Sequence, residues 1–300
     1  MKKTAETKQT GKAPKGYAQR FRARSSLLAL PFSAYMLIFI LAPLILIVYY
    51  SFCTDPMGGD MTLTLEHYKR MFDFSSPVYL AVLWRSFYIA VISTAICLLI
   101  GYPMAYILSR MKPAARNILS MLFILPMWMN FLLRTYAWMS LLENTGLINT
   151  FLTSVGLQPV NLMYTQGAVI LGNVYNFLPY MILPIYNVLI KIDPAVVEAA
   201  QDLGANHSRV FRKVIFPLSL PGVMSGILMT FMPAITTFVI SRLLGGGQFT
   251  LIGDLIEKQY KTTGDWGFGS VMSVIIMVLI VIFMNVLPSS EREGEGGGLM

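Results

Sequence analysis

Apolar and polar residues follow one another along this chain in long blocks. Six apolar stretches, at about 27–50, 86–109, 117–141, 167–190, 214–240 and 268–288, each come close to the roughly 20 residues that cross a bilayer as a helix. Six crossings put both termini on one side. Residues 1–25 form a polar tail with eight lysines and arginines against Glu6 alone, and residues 290–300, rich in glutamate and glycine, form a second flexible tail. The region 26–289 between them reads as one transmembrane domain, with a core at about 84–288.

One polar loop, between the fourth and fifth stretches, carries a helical pattern of its own. Asp193-Pro194 reads as an N-cap followed by proline at the first helical position. Val196, Ala199, Ala200 and Leu203 then fall at i, i+3, i+4 and i+7, one apolar stripe built largely of small side chains. Gly204 stands where a helix stop is expected, and Asn206 can cap a second helix that runs into the fifth stretch, with Val210, Phe211, Val214 and Ile215 on one face. The physics leaves two readings open: a helix that docks in a partner's groove, or an amphipathic connector lying on the membrane surface.

Composition agrees with the blocks. Hydrophobic residues make up 55% and charged residues 13% of 300, too apolar a mixture for a soluble domain. The net charge of +8 is concentrated at the membrane ends, so it is a signal of topology and not of nucleic-acid binding. One set of segments holds the basic tail, Arg110, Lys112, Arg116, Lys191, Arg209, Arg212 and Lys213. The other set offsets its bases with acids such as Asp55, Glu66, Glu143, Asp254 and Glu257. The positive-inside rule makes the first set cytoplasmic, both termini and the Glu198 loop included.

Candidate chemistry is sparse. Cys53 and Cys97 make neither a disulfide framework nor a metal cluster, and His67 and His207 lie far apart in the chain, so we expect no metal site. No phosphate-binding loop occurs and no motif of a hydrolase, so we expect no catalytic residue, and any energy for transport comes from another chain. Pro126, Pro179, Pro184, Pro221, Gly222, Gly226 and Pro233 interrupt the spans, as suits helices that kink and approach closely. Arg134 is a charge within the third stretch, expected to be structural and to meet a partner such as Asp254 or Glu257, the alternative being an arginine that reaches for the outer interface. After the fifth stretch, Leu251, Ile252, Leu255 and Gln259 outline a short outer helix that puts Asp254 and Glu257 a turn apart. Paired acids near aromatics suit a polycation, and Trp128, Asn130, Tyr175, Tyr180, Asp254 and Glu257 are the pathway candidates, with Trp266 a further aromatic. The same residues also fit a solvated outer helix within an interfacial aromatic belt.

Glu198-Ala199-Ala200, Gly204 and Pro217 resemble the coupling loop of permease subunits of type I ABC importers. Val214 and Phe216 stand where that family has isoleucine and leucine. Gly101 to Tyr106, Leu125 to Trp128, Arg134-Thr135-Tyr136, Pro217 to Gly222 and Asp265 to Gly269 resemble its polyamine branch, the permeases of spermidine/putrescine importers. The resemblance implies an all-α, MetI-like fold with six transmembrane helices and a cytoplasmic coupling helix. It implies a coupling set of Glu198, Ala199, Ala200, Asp202, Gly204, Arg209 and Pro217. It also implies a second related permease, an ATPase dimer holding ATP and magnesium, and an extracytoplasmic polyamine-binding protein. This chain itself would hold no cofactor, and membrane lipid would surround it. An importer for another small solute, or a membrane enzyme or scaffold, are the alternatives.

Overall fold

The computed structural model describes residues 31–286 other than 59 and 76, so both tails lie outside the described residues. The chain divides after Tyr50 into two units. The first contains α1 (Pro31–Tyr50), an apolar helix with no buried side chain in its most hydrophobic window. Its ladder widens to a π turn at Leu37–Leu41, ahead of Pro43, which has no N–H to give.

The second unit begins with a small antiparallel hairpin, β1 (Cys53–Asp55) and β2 (Asp60–Leu63), with Cys53 opposite Leu63. The short α2 (Glu66–Met71) follows, then α3 (Val78–Arg110), 33 residues long and continuous through Pro103. Next come α4 (Pro113–Trp128), α5 (Phe131–Leu142), α6 (Leu147–Ser154) and α7 (Gln166–Leu189). The polar loop forms α8 (Pro194–Asp202), and α9 (His207–Thr236) runs from it into the bundle. The chain ends in α10 (Val239–Gly245), α11 (Ile252–Lys258) and α12 (Trp266–Val286).

Helices α1, α3, α7, α9 and α12 are each long and apolar enough to cross a membrane. The third apolar stretch, expected at about 117–141 as one span, is a bent pair of helices in the structure, so the described residues hold six candidate spans when that pair is taken as one. It breaks between Trp128 and Phe131, and the two parts are bent by 93°. Met129 and Asn130 are extended there, and the Asn130 side chain accepts the Leu132 N–H at 2.8 Å, so an N-cap inside the apolar run starts a new helix. The fifth stretch is also shorter than expected: α9 stops at Thr236, Thr237 is extended, and α10 starts afresh.

Helices α3, α7 and α9 pack together as the centre of the second unit. Small residues set their spacing. A Cβ at Gly222 would stand 2.8 Å from the Pro184 carbonyl oxygen and 3.0 Å from the Ile185 Cα, and one at Gly226 2.8 Å from the Met181 sulfur. In lipid, where tails are as apolar as leucine, such backbone approach and van der Waals fit hold helices together. Phe231 of α9 is buried between Phe283, stacked at 4.0 Å, and Phe87, edge-on at 5.8 Å. Tyr102 and Ser219 bridge α3 and α9 by a hydroxyl–hydroxyl hydrogen bond of 2.9 Å.

Candidate functional site

The polar loop folds as its pattern dictates. The Asp193 carboxylate accepts the Ala195 N–H at 2.9 Å, and Pro194 opens α8. The helix ends over Asp202 and Leu203, and Gly204 takes φ +80°, the left-handed conformation that glycine adopts without strain. Asn206 accepts the Arg209 N–H at 2.9 Å and starts α9. A π turn at Phe211–Ile215 leads to Pro217, which lies exposed in the first turn of the regular helix beyond.

Burial divides α8 into two faces. Val197 and Ala200 pack on a core cluster that includes Tyr102, Ile185 and Ile215. Val196, Ala199 and Leu203 face outward, with Leu203 90% exposed. The expected four-residue stripe is therefore three residues wide on the free side, since Ala200 turns inward. Glu198, Asp202 and Arg209 are exposed too. An uncharged ridge flanked by charges and carried on the end of a bundle helix has the form of a docking surface.

Elsewhere in the second unit, α10, α11 and the turn after α11 hold a charge cluster. Arg242 binds Glu257 and lies 4.0 Å from Asp254, while Lys261 donates to Glu257 at 3.0 Å. Asp254 also accepts the Ser241 hydroxyl and, at 3.0 Å, the Leu251 N–H that begins its own helix. Burial pushes the Asp254 carboxyl above its ordinary value, against the pull of those donors and of Arg242. Hydrogen bonding from Lys261 holds Glu257 below its ordinary value, and Arg242 adds to it.

That cluster corrects the expected partner of Arg134. Asp254 and Glu257 are turned to Arg242 on the adjacent helix, and Arg134 is not paired with them. Its residue is 9% exposed, its Nε and Nη1 are buried with no hydrogen-bond partner, and the guanidinium carbon lies 6.0 Å from the Phe131 ring centroid.

The pathway candidates do not meet in one cavity of this chain. The cavity of about 400 Å³ lined by Asp254 and Glu257 has Arg242, Lys258 and Lys261 on its walls and no aromatic ring. Trp128, 76% exposed, lines a different cavity. Asn130 caps α5, Tyr175 packs edge-on to Trp138 at 5.3 Å, Tyr180 lies near Phe177, and Trp266 meets Tyr260 at 5.0 Å.

Sequence reasoning passed over a polar seam in the central helices. Asn173 and Asn176 of α7, Ser93 and Thr94 of α3 and Thr230 of α9 are all buried. Asn173 reaches Ser93 at 3.5 Å, and Asn176 bonds back to the Gly172 carbonyl. Asparagines three apart in an apolar span share one helix face, and that spacing was the available signal.

Residues 97–289 match the family described as binding-protein-dependent transport system inner membrane component. The chain is 38% identical over 263 residues to the spermidine/putrescine transport system permease protein PotB of Haemophilus influenzae, covering 86% of this chain and 91% of that one. It is 36% identical over 262 residues to PotB of Escherichia coli, covering 86% and 94%. Among solved structures it resembles a chain of a bacterial ABC transporter for the acidic polysaccharide alginate, with a TM-score of 0.75 at 15% identity, over 92% of this chain and 97% of that one. The same transporter in complex with its alginate pentasaccharide-bound periplasmic protein gives 0.72 at 16%, over 92% and 96%. At such identity the likeness shows the fold alone.

Proposed function

This chain belongs to the family of inner membrane components of binding-protein-dependent transport systems, and from that premise we propose that it is the permease subunit of an ATP-driven importer of spermidine and putrescine. It is a multi-pass transport subunit and not an enzyme. The observation that carries the polyamine reading is the extent of the likeness, 36–38% identity over more than nine tenths of relatives named for that substrate.

On this reading α8 is the coupling helix. The free ridge of Val196, Ala199 and Leu203, rimmed by Glu198 and Asp202, sits in a groove of a cytoplasmic ATPase. Movement passes through Gly204 to α9, which is continuous from His207 into the central bundle against α3 and α7. A rigid helix anchored at one end to the motor transmits displacement to the helices it packs on. The ATP and magnesium belong to the ATPase dimer, a second permease completes the passage, and an extracytoplasmic protein delivers the polyamine. On this reading both termini are cytoplasmic, which the distribution of lysine and arginine supports. The acids of the outer cluster are neutralised by Arg242 and Lys261, so substrate selection rests with the delivering protein and the joint passage.

The test is uptake of radiolabelled spermidine and putrescine by cells lacking only this chain, with and without its return. Restoration of polyamine uptake supports the reading. An assembled complex that takes up neither polyamine assigns the permease to another solute.

A further inference from the structure

Two cavities, one polar and one apolar, are lined by successive stretches of α4 and α7. The first, about 400 Å³, opens beneath α8. Arg110 at the end of α3 and Arg116 in the first turn of α4 stand on its wall, with Ser109, Gln201, Glu198 and Ile190 around them. The second, about 330 Å³, begins at Asn117, the next residue along α4. It continues between α4 and Tyr186 of α7, lined by Met121, Ile124, Leu125 and Trp128.

The first cavity is built to receive an acceptor. Arg116 Nε is buried without a hydrogen-bond partner, and a buried donor left unpaired carries a desolvation cost that a ligand acceptor removes. Neither arginine is ion-paired among the described residues; the Arg110 guanidinium carbon lies 5.4 Å from the Tyr106 ring centroid. Glu198 is the acid on the wall, so two guanidinium groups face one carboxylate and the balance favours an anion. Ser109 donates to the Tyr106 carbonyl, so the two arginines, with the Gln201 amide beside them, are the donors left for an anion.

The second cavity explains what the anion is attached to. From Arg116 to Trp128 the helix rises about 18 Å, on the order of an acyl chain. Helix α4 has no buried residue, and Ile118, Met121, Leu122 and Leu125 are exposed along it. An arginine-lined cavity at a helix end, followed along α4 by an apolar slot on the scale of an acyl chain, is complementary to an anionic phospholipid.

We propose that Arg110 and Arg116 bind the phosphate of an anionic phospholipid beneath α8, with one acyl chain in the slot between α4 and α7. The lipid then fills the space under α8, bounded by Val197 and Gln201 and reached from the rim by Glu198, and props that helix from the membrane side. The site depends on the chain being a membrane protein and not on which solute it carries.

The full chain, purified in non-ionic detergent and stripped of lipid, is given phosphatidylglycerol or phosphatidylcholine of equal chain length, and retained lipid is counted by native mass spectrometry. One phosphatidylglycerol should be held about tenfold more tightly than phosphatidylcholine, the scale of a charge-assisted hydrogen bond in a buried site. Arg110→Gln with Arg116→Gln should abolish the preference. Glu198→Gln should strengthen it, a gain that misfolding does not produce. Ile124→Trp, which narrows the slot, should weaken both lipids alike. Equal retention of the two lipids by the unaltered chain, or a preference that survives loss of both arginines, overturns the proposal. Displacement by excess inorganic phosphate together with indifference to Ile124→Trp would assign the site to free phosphate and overturn the lipid. Retention by the isolated chain but not by the assembled complex would give the slot to the second permease, with the same consequence.

Discussion

At the scale of the residue, Gly204 illustrates a cost that comes from the backbone alone. Its φ is +80°, and no atom lies within 4 Å of where a Cβ would stand. Substitution therefore meets no clash, only the left-handed strain of about 1–2 kcal/mol for an ordinary residue. Gly204→Asn should lower thermal stability least and Gly204→Val most, read by melting of the purified chain, since asparagine tolerates that conformation and a β-branched side chain does not. Leu203 is the opposite case. It is 90% exposed, so Leu203→Glu should leave melting unchanged while abolishing co-purification of the ATPase. Glu257 supplies a dependence on pH. Its carboxyl lies below the ordinary 4.5, held down first by Lys261, so its contribution is present above that value and fades as the pH falls through the folded one. The melting difference between the unaltered chain and Glu257→Gln should be clear at neutral pH and close in strong acid.

At the scale of the element, helices were legible wherever local signals and burial agreed. Asp193-Pro194, Gly204 and Asn206 act at short range, and each performs the capping or turning role its residue type implies. The third apolar stretch was not legible as a broken element because hydropathy is averaged over a window, and one asparagine among leucines and methionines barely lowers it. One helix nevertheless ends at Trp128, and Asn130 starts another. Asn130→Ala should cost about 1 kcal/mol of stability, a typical cap, measured by denaturant titration of the purified chain. The small residues of α9 were also legible, and Gly222→Leu should be far more damaging, because the Pro184 oxygen and Ile185 backbone stand where the side chain must go. Loss of the monodisperse peak in size exclusion would register it.

At the scale of the whole molecule, the number of apolar stretches and their order followed from the sequence, and the meeting of distant side chains did not. Arg242 and Asp254 are joined by the turn between α10 and α11, and that geometry assigned the acids away from Arg134. The cavities beneath α8 depend on three helix ends converging, which no periodicity reports. The free ridge of α8 and the continuity of α9 into the packed helices fit the function proposed above, in which a motor in another chain moves the helices from the cytoplasmic face. The most direct measurement is ATP-driven accumulation of labelled spermidine in proteoliposomes containing the complete complex, with either the unaltered chain or Leu203→Glu. The account predicts accumulation by the first and none by the second, with this chain and the second permease still inserted in the membrane in both. Equal accumulation by the two would contradict it.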